Sequence, residues 1–489
     1  MAGSSATPQN GLATELPTKY LPGVEYRDLP EPRGLRHYIG ASVILTATAL
    51  GSGELILWPY ITSQVGLMLA WLALAGLTMQ YLLNMEIERY TLITGETAVT
   101  GFSRMWLPWG IIFVLGAVLP NIWPGWASSG ATEFTFIFGL DSSTVPTITT
   151  IFLVSIGLAV TVSPVIYQTL EKAEGVMVVL IVLFIIAAII IATKAGAWAN
   201  VVTTVPEGVT HLPASIKELG AASLFGAIVF AGAGGANNLV QSNYVRDKGM
   251  GMGIHIPNIV SPITGEEVAA PSLGYMVPST PENERRWRRW WKIANQEQGI
   301  TFWLITALLL IGMSVLVFSA IGIQHGESSE LSFIHKEGVA LGNIVAPWFQ
   351  ICFYVAGFLM LFSTNVGVVD YVSRLTGDSL KVTFLKESTF WSESKIYITT
   401  VWFLIVVGSL IIWTGVQPLL LLIISSAGGG LVMGFYSVLL IILNRRLLPK
   451  FARLGGWRMP VMIFIALFYV TFSVFLIYRM VANGPASVV

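Results

Sequence analysis

Long apolar stretches dominate this sequence and constrain its fold more than any other feature. A helix needs roughly 20 mainly apolar residues to cross the hydrocarbon core of a bilayer. The chain is accordingly predicted to be an all-α polytopic membrane protein with about eleven transmembrane helices, and 54% of its 489 residues are hydrophobic while 11% are charged. The eleven stretches lie at about 37–62, 66–88, 107–128, 147–167, 175–193, 221–244, 300–323, 343–370, 396–413, 416–443 and 459–480.

Composition also argues against several classes of function. Lysine plus arginine and aspartate plus glutamate each number 27, so the net charge is zero and no nucleic-acid partner is expected. The single cysteine, Cys352, permits neither an intrachain disulfide nor a thiolate metal cluster. The five histidines are scattered, and the sequence has no metal-binding helix motif, phosphate loop or nucleophile motif. We therefore expect neither an enzyme nor a bound cofactor.

Positive charge is distributed unevenly between the loops on the two sides of the predicted membrane. If the N-terminus is cytoplasmic, 23 of the 27 lysines and arginines fall in cytoplasmic segments. Short cytoplasmic loops are enriched in these residues. We predict an integral protein of the plasma (inner) membrane, with the N-terminus in the cytoplasm and the C-terminus outside. The remaining four cations are Lys194, Lys217, Lys336 and Arg479.

Three segments are predicted to flank or interrupt the transmembrane core, which spans 37–445. Residues 1–36 are polar and proline-rich and lack the apolar core of a signal peptide, so they are predicted to be a disordered cytoplasmic tail. The inner loop 245–299 contains "NERRWRRWWKIANQEQ", and interleaved arginine and tryptophan are typical of a helix at the lipid headgroups. Residues 446–489 are predicted to form a further inner loop and a peripheral eleventh helix.

Two of the apolar stretches contain residues that disfavour a continuous helix. The sequence "GSGE" (51–54) interrupts the first, and "FAGAGGANN" (230–238) interrupts the sixth. Irregular backbone at membrane depth is tolerated only where it is buried in protein or lines a cavity. Transporters with inverted repeats place the substrate between discontinuous helices near the midplane. We predict a secondary transporter with two five-helix repeats, 37–193 and 221–443, although small residues also allow close helix packing alone.

Glu54 is the most informative single residue. A charged carboxylate at the bilayer centre costs on the order of 2.5–3.5 kcal/mol, so it pairs, faces water or stays protonated. Glu54 is a candidate cation ligand and coupling group, with a protonated structural glutamate as the alternative. Glu54, Asn237 and Asn238 are the predicted metal ligands. The whole predicted substrate site consists of Gly51, Ser52, Gly53, Glu54, Gly232, Gly235, Asn237, Asn238 and Ser425.

Several further segments resemble the Nramp family of proton-coupled divalent-metal transporters. "RYTLITGETA" (89–98) resembles the stretch after the family's second helix, and "EKAEGVMVVLIV" (171–182) resembles the start of its fifth. "NNLVQSNYVRD" (237–247) resembles the segment after the break in its sixth helix. The resemblance runs through most of 37–445. It implies a LeuT-type 5+5 inverted repeat with discontinuous helices 1 and 6, and symport of a divalent metal ion with protons.

The sequence departs from this family at the metal site. Residues 51–54 stand where the family has Asp-Pro-Gly-Asn, and residues 235–237 stand where it has Met-Pro-His. Without the soft thioether, the remaining oxygen ligands favour a hard cation such as magnesium or calcium, or manganese. The change Gly235→Met is therefore expected to shift preference toward cadmium or manganese. No acid occurs at 121–130, where the family carries an acidic pair in its third helix.

A different substrate class stays open. The Gly-Ser-Gly sequence at 51–53 is similar to the break in carriers of amino acids, polyamines and organic cations. Small residues at 232–236 would enlarge the cavity enough for such a molecule. The alternative function is therefore a carrier of a small organic cation, amino acid or amine. The sequence does not decide between carrier and channel, and it leaves the oligomeric state and the coupling ion open.

Overall fold

A computed structural model shows a chain that is almost entirely helical in the residues it describes. Apart from two isolated bridge pairs, Leu12 with Glu25 and Tyr26 with Met276, those residues contain no β-structure. Helix is the expected outcome for long apolar segments, because it satisfies every backbone hydrogen bond within the segment. The structure describes residues 12–162, 166–257, 273–324, 331–415 and 418–483.

The first five spans carry the labels α1 to α5. Span α1 has three parts, an α-helix Ala41–Ala49, a π-helical segment Leu50–Leu57 and an α-helix Trp58–Val65. Span α3 is interrupted before Gly125, where Pro124 lacks a backbone N–H and disfavours helix in the preceding residue. The others are α2 (Ala70–Thr94), α3 (Trp109–Asn121 and Gly125–Phe138), α4 (Val145–Val162) and α5 (Ile166–Ala192).

The next six spans carry the labels α6 to α11, and the first of them is interrupted, as α1 is. They are α6 (Ala221–Val229 and Asn237–Asp247), α7 (Ile305–Ala320), α8 (Pro347–Thr383), α9 (Glu393–Ile412), α10 (Pro418–Arg446) and α11 (Arg458–Asn483). A π-helical segment, Gly299–Leu304, leads into α7. Shorter helices occupy the connections, at Ala98–Met105, Ala195–Thr203, Val205–Thr210, Leu212–Leu219, Pro281–Gln298 and Ser332–Ile344.

The lengths and composition of these helices indicate an integral membrane protein. In the described residues, nine helical stretches are long and apolar enough to span a membrane, or ten if a bent pair counts as one span. One of the nine, Ala41–Thr94, contains both α1 and α2, which meet at a turn where Gly66 has a φ of 73°. The two halves of α6 are each too short to count alone. Every one of the eleven predicted spans therefore corresponds to one of the helices α1 to α11.

The N-terminal segment 12–36 packs against the helices, so the prediction of a disordered tail is wrong for these residues. Leu29 is fully buried, and the indole N–H of Trp290 donates to the carbonyl oxygen of Pro30 at 2.7 Å. The sequence suggested disorder because polar residues and prolines outnumber the apolar anchors. Residues 1–11 lie outside the described residues. The side of the bundle that carries 12–36 is called the N-terminal side below.

The helix Pro281–Gln298, predicted from its arginines and tryptophans to lie at the headgroups, lies on the N-terminal side and also packs against protein. Its Trp287 is buried, and the Trp291 ring centroid lies 4.2 Å from the guanidinium carbon of Arg89 on α2. Its cationic residues alternate with these rings along the helix. The exposed ones are Arg285, Arg288, Arg289 and Lys292.

A buried network of ion pairs joins the second half of α6 to α8 on the N-terminal side. Arg374 donates to both carboxylate oxygens of Asp370, at 2.9 and 3.1 Å, and also pairs with Asp247. Arg246 pairs with Asp378 at 2.6 Å. All five side chains are nearly or fully buried, so each charge depends on its partner for stabilisation. The network holds α6 against α8.

Removing one partner from this network should destabilise the whole bundle. We expect Arg374→Met to lower the free energy of unfolding by about 3–5 kcal/mol, because it leaves buried carboxylates without a counter-charge. The measurement is thermal unfolding of the purified protein in detergent. The control is Arg285→Met, whose side chain is 57% exposed. Equal melting curves for the two variants would contradict the role given to the network.

Candidate functional site

The α-helix of α1 is interrupted at the predicted position, although the form differs from the prediction. Residues Leu50–Leu57 continue as a π-helix, so the backbone is widened and not unwound. The N–H of Gly51 donates to Thr364 Oγ1 of α8 at 2.8 Å. Such π-helical insertions are frequent at functional sites, because they redirect side chains relative to the flanking helix. The side chain of Ser52 lies outside the described residues.

Span α6 has the break that the sequence predicts. Its first half ends at Val229 and its second half begins at Asn237, with no regular helix between them. Gly234 and Gly235 have φ values of 68° and 59°, a left-handed conformation that glycine adopts without strain. The glycines in this segment are therefore required by the path of the backbone.

The two interruptions touch each other. A Cβ atom placed on Gly53 would overlap the carbonyl oxygen of Phe230, the first residue of the α6 break. A Cβ on Gly232 would lie 2.8 Å from Gln80 Oε1. Gly53 thus allows the two backbones to approach within a distance that no larger residue permits, and Gly232 leaves room for the Gln80 side chain. The prediction that the first and sixth spans meet at their interruptions is confirmed.

Gln80 of α2 supplies the hydrogen bonds that the broken helix lacks. Its Oε1 accepts from the N–H of Gly234 at 2.8 Å, and its Nε2 donates to the carbonyl oxygen of Val229 at 2.7 Å. One fully buried amide therefore satisfies a backbone group at the end of the first half of α6 and another within the break. Sequence reasoning missed Gln80. The available signal was an amide, Gln80, within the second apolar stretch and four residues before Asn84.

Glu54 lies in the π-helical segment and is fully buried. Within the described residues, neither of its carboxylate oxygens has a hydrogen-bond partner. An unpaired carboxylate is among the most costly groups to bury in a low-dielectric interior. The arrangement therefore leaves two oxygens available to a ligand.

The predicted amide ligands lie at the start of the second half of α6, with different surroundings. Asn237 is buried and its amide has no partner in the described residues, whereas Asn238 Nδ2 donates to Asn84 Oδ1 of α2 at 2.7 Å. No hydrogen bond among the described residues joins either amide to Glu54. The same residues contain no group of three or more His, Cys, Asp or Glu side chains able to hold a metal. A bound cation would therefore rely on one carboxylate with amide and backbone oxygens.

Two predictions about small residues need correction. Ser425 Oγ lies 3.5 Å from Asn121 Oδ1, so it faces α3, and the neighbouring Ser426 is the α10 hydroxyl that packs on α6, at Gly226. Gly235 is unsuitable for substitution by methionine. Its φ is positive, and a Cβ there would lie 2.9 Å from the Cα of Gly429. The change Gly235→Met would disturb α6 and α10, so it does not test ion selectivity.

The structure also contains buried acids that the sequence analysis did not include in the site. Glu133 follows the acid-free stretch 121–130 in α3, and its Oε2 would lie 3.4 Å from a Cβ on Gly357 of α8. Glu133 and Glu337 are fully buried, and their carboxylate oxygens have no hydrogen-bond partner in the described residues. Glu174 of α5 is likewise buried. No local sequence pattern marks Glu133, and only its burial in the fold distinguishes it.

Comparison with known proteins establishes the fold. No family model and no curated protein sequence matches the chain. A manganese transporter of Eremococcus coleocola, solved with an aromatic bis-isothiourea compound, has a TM-score of 0.64 and 11% identity, covering 96% of this chain and 93% of that one. A mutant of that transporter has a TM-score of 0.66 and 12% identity, with the same coverage of both chains. MhsT in complex with L-phenylalanine gives 0.50 and 14%, covering 92% of this chain and 98% of that one.

The chain has the LeuT-type fold. This likeness accounts for the interruption of α1 and α6, the first helices of the two predicted repeats. At 11 to 14% identity it establishes the arrangement of helices and nothing about the substrate. The chemistry of the site must therefore be argued from this chain's own residues.

The role of Gln80 is open to a direct test. We expect Gln80→Leu to destabilise the protein by about 1–3 kcal/mol, because buried backbone groups at the break lose their partners. Hydrogen exchange measured by mass spectrometry should show faster exchange in 230–236. Gln296→Leu, the same change at an exposed position, serves as the control. Unchanged exchange at the break in Gln80→Leu would show that the backbone is satisfied in another way.

The contact between α1 and α6 gives a second test. Gly53→Ala should lower the melting temperature, because its methyl group cannot fit against the Phe230 carbonyl oxygen without separating the two interruptions. The matched control is Gly175→Ala in α5, where a Cβ would meet nothing within 4 Å. Thermal unfolding of the two variants under identical conditions is the measurement. A Gly53→Ala protein as stable as the control would place the interruptions farther apart.

Proposed function

We propose that this protein is a secondary active transporter of a divalent cation and that Glu54 is the anionic ligand of that cation. The observation that carries the proposal is the Glu54 carboxylate, which is buried at the contact region of α1 and α6 with both oxygens unpartnered in the described residues. Interrupted helices near the midplane are where transporters of this fold bind their substrates. A cation would stabilise the carboxylate that the protein itself leaves unpaired.

The donor atoms around this position suggest the class of ion. Glu54 offers carboxylate oxygens, and Asn237 offers an amide oxygen without a partner in the described residues. The non-helical segment 230–236 adds backbone carbonyl groups near Gly53. Oxygen ligands of this kind suit magnesium, calcium or manganese. The structural relative named as a manganese transporter is consistent with this class.

The same geometry suggests the transport cycle. We assign the N-terminal side to the cytoplasm because 23 of the 27 cationic side chains belong to segments predicted to lie there. On this side, ion pairs join α6 to α8. Release of the cation to the cytoplasm would require α6 and α8 to separate on the N-terminal side. The interruptions of α1 and α6 would remain in contact and preserve the binding site. Glu54 would couple transport to protons if it takes up a proton when the cation leaves.

Uptake into proteoliposomes tests this proposal. Manganese, magnesium and calcium would each be added outside vesicles that contain an ion-sensitive dye. Vesicles without protein would give the background. We expect saturable uptake of at least one ion by the wild type and a loss of at least tenfold in Glu54→Gln, which keeps the shape and removes the charge. The control is Glu387→Gln, an exposed carboxylate in the α8–α9 connection.

The same experiment distinguishes a carrier of divalent cations from a carrier of amino acids or amines. Equal uptake by the wild type and Glu54→Gln would exclude Glu54 as the ligand. If folded wild-type protein transports none of the three ions, the divalent-cation proposal is wrong. A carrier of amino acids or amines would then be the account to test, with radiolabelled amino acids as substrates.

A further inference from the structure

A buried row of polar side chains leads from the α6 break along α2 toward the N-terminal side. Gln80, Asn84 and Glu88 are spaced four residues apart, so they share one face of α2 and cover about 12 Å. All three are fully buried. Asn84 Oδ1 accepts from Asn238 at 2.7 Å, and Glu88 Oε1 accepts from Gln241 Nε2 at 2.9 Å. Each member therefore meets α6.

The far end of this row holds two carboxylates. Glu297 accepts from the hydroxyl and the N–H of Ser42 at 2.5 and 3.1 Å. Gln241 Nε2 donates to Ser42 Oγ at 2.9 Å and so links Glu297 to Glu88. Glu297 is fully hydrogen-bonded at the start of α1. Glu88 is different, because its Oε2 has no partner in the described residues.

No cationic side chain among the described residues is hydrogen-bonded to Glu88, although Arg458 lies close enough to act on its charge. The adjacent Arg89 turns away and forms two hydrogen bonds with Glu86, at 2.6 and 2.9 Å. Arg458 also pairs with Glu86, at 3.1 Å. In the described residues, both arginines therefore form ion pairs with Glu86 and not with Glu88. Glu88 is left as a buried carboxylate without an ion-pair partner in the described residues, and the charges of Glu297 and Arg458 both act on it.

Unpartnered oxygens distinguish this row from a set of hydrogen bonds that merely joins α2 to α6. A purely structural set would satisfy its buried polar atoms, since each unsatisfied atom costs about 1–3 kcal/mol. Gln298 lies close enough to Glu88 to interact with its carboxylate, although no well-formed hydrogen bond joins the two side chains in the described residues. Within the described residues, the atoms of this group without a partner are Asn84 Nδ2, Glu88 Oε2, Asn238 Oδ1, Gln241 Oε1 and both polar side-chain atoms of Gln298.

We propose that Glu88 forms a second cation-binding position, between the site at Glu54 and the N-terminal side. Its donors are the Glu88 carboxylate and the amide oxygens of Gln241 and Gln298, with the negative charge of Glu297 nearby. This set takes a hard divalent cation that keeps part of its water shell. The polar row from Gln80 to Glu88 is the route between the two positions. The proposal rests on the proposed function only for the identity of the ion.

Counting bound ions tests the second position. The full-length purified protein would be titrated with Mn²⁺, and free Mn²⁺ would be measured by electron paramagnetic resonance. The wild type and Glu387→Gln should each bind two ions, one at Glu54 and one at Glu88. Glu88→Gln and Glu54→Gln should each lose one ion, and the double variant should lose both. Melting curves would verify that each variant is folded.

The single variants keep the two proposals separable. Loss of an ion in Glu88→Gln with unchanged binding in Glu54→Gln would support the second position and contradict the first. Unchanged binding in Glu88→Gln would overturn the second position and leave the first intact. If Glu88→Gln does not fold, Gln241→Leu provides the test. It keeps the carboxylate, and it should weaken one site about 10- to 100-fold. Unchanged affinity at both sites in Gln241→Leu would also overturn the proposal.

Discussion

The requirement to satisfy backbone hydrogen bonds inside a membrane governs this structure, and Gln80 meets it at the critical place. The break in α6 exposes backbone donors and acceptors that lipid cannot satisfy. A single amide on α2 accepts from Gly234 and donates to Val229. This allows α6 to stay open beside the π-helical segment of α1. The interrupted site therefore depends on Gln80, whose side-chain hydrogen bonds go to backbone atoms.

The buried acids divide into two groups with different roles. Asp370 and Asp378 are paired with arginines, in a network whose Arg246–Asp378 and Arg374–Asp247 pairs join α6 to α8. Glu54 and Glu88 each have at least one oxygen without a partner in the described residues. Paired acids stabilise one arrangement of helices, whereas unpaired acids favour states in which a cation or a proton is present. The protein thus combines a structural network on one side with a path of available oxygens.

Local sequence patterns predicted the spans and the two interruptions, because apolar length and clustered glycines act within one helix. They failed where the outcome depends on distant partners. Gln80 and Gly234 are 154 positions apart, so their hydrogen bond leaves no local signal. The packing of Leu29 depends on the helix Pro281–Gln298, and only the fold shows that Ser425 faces α3. Whether Glu54 and Asn237 form one site stays a prediction, since no contact joins them in the described residues.

The central claim is that the Glu54 carboxylate is the ligand of a transported divalent cation. Anomalous diffraction from crystals of the full-length protein soaked in Mn²⁺ tests it directly, because the signal locates the ion independently of the protein. The account predicts a peak within about 2.6 Å of a Glu54 oxygen, beside the α6 break. Bound manganese found only elsewhere, with Glu54 hydrogen-bonded to another protein group, would contradict it.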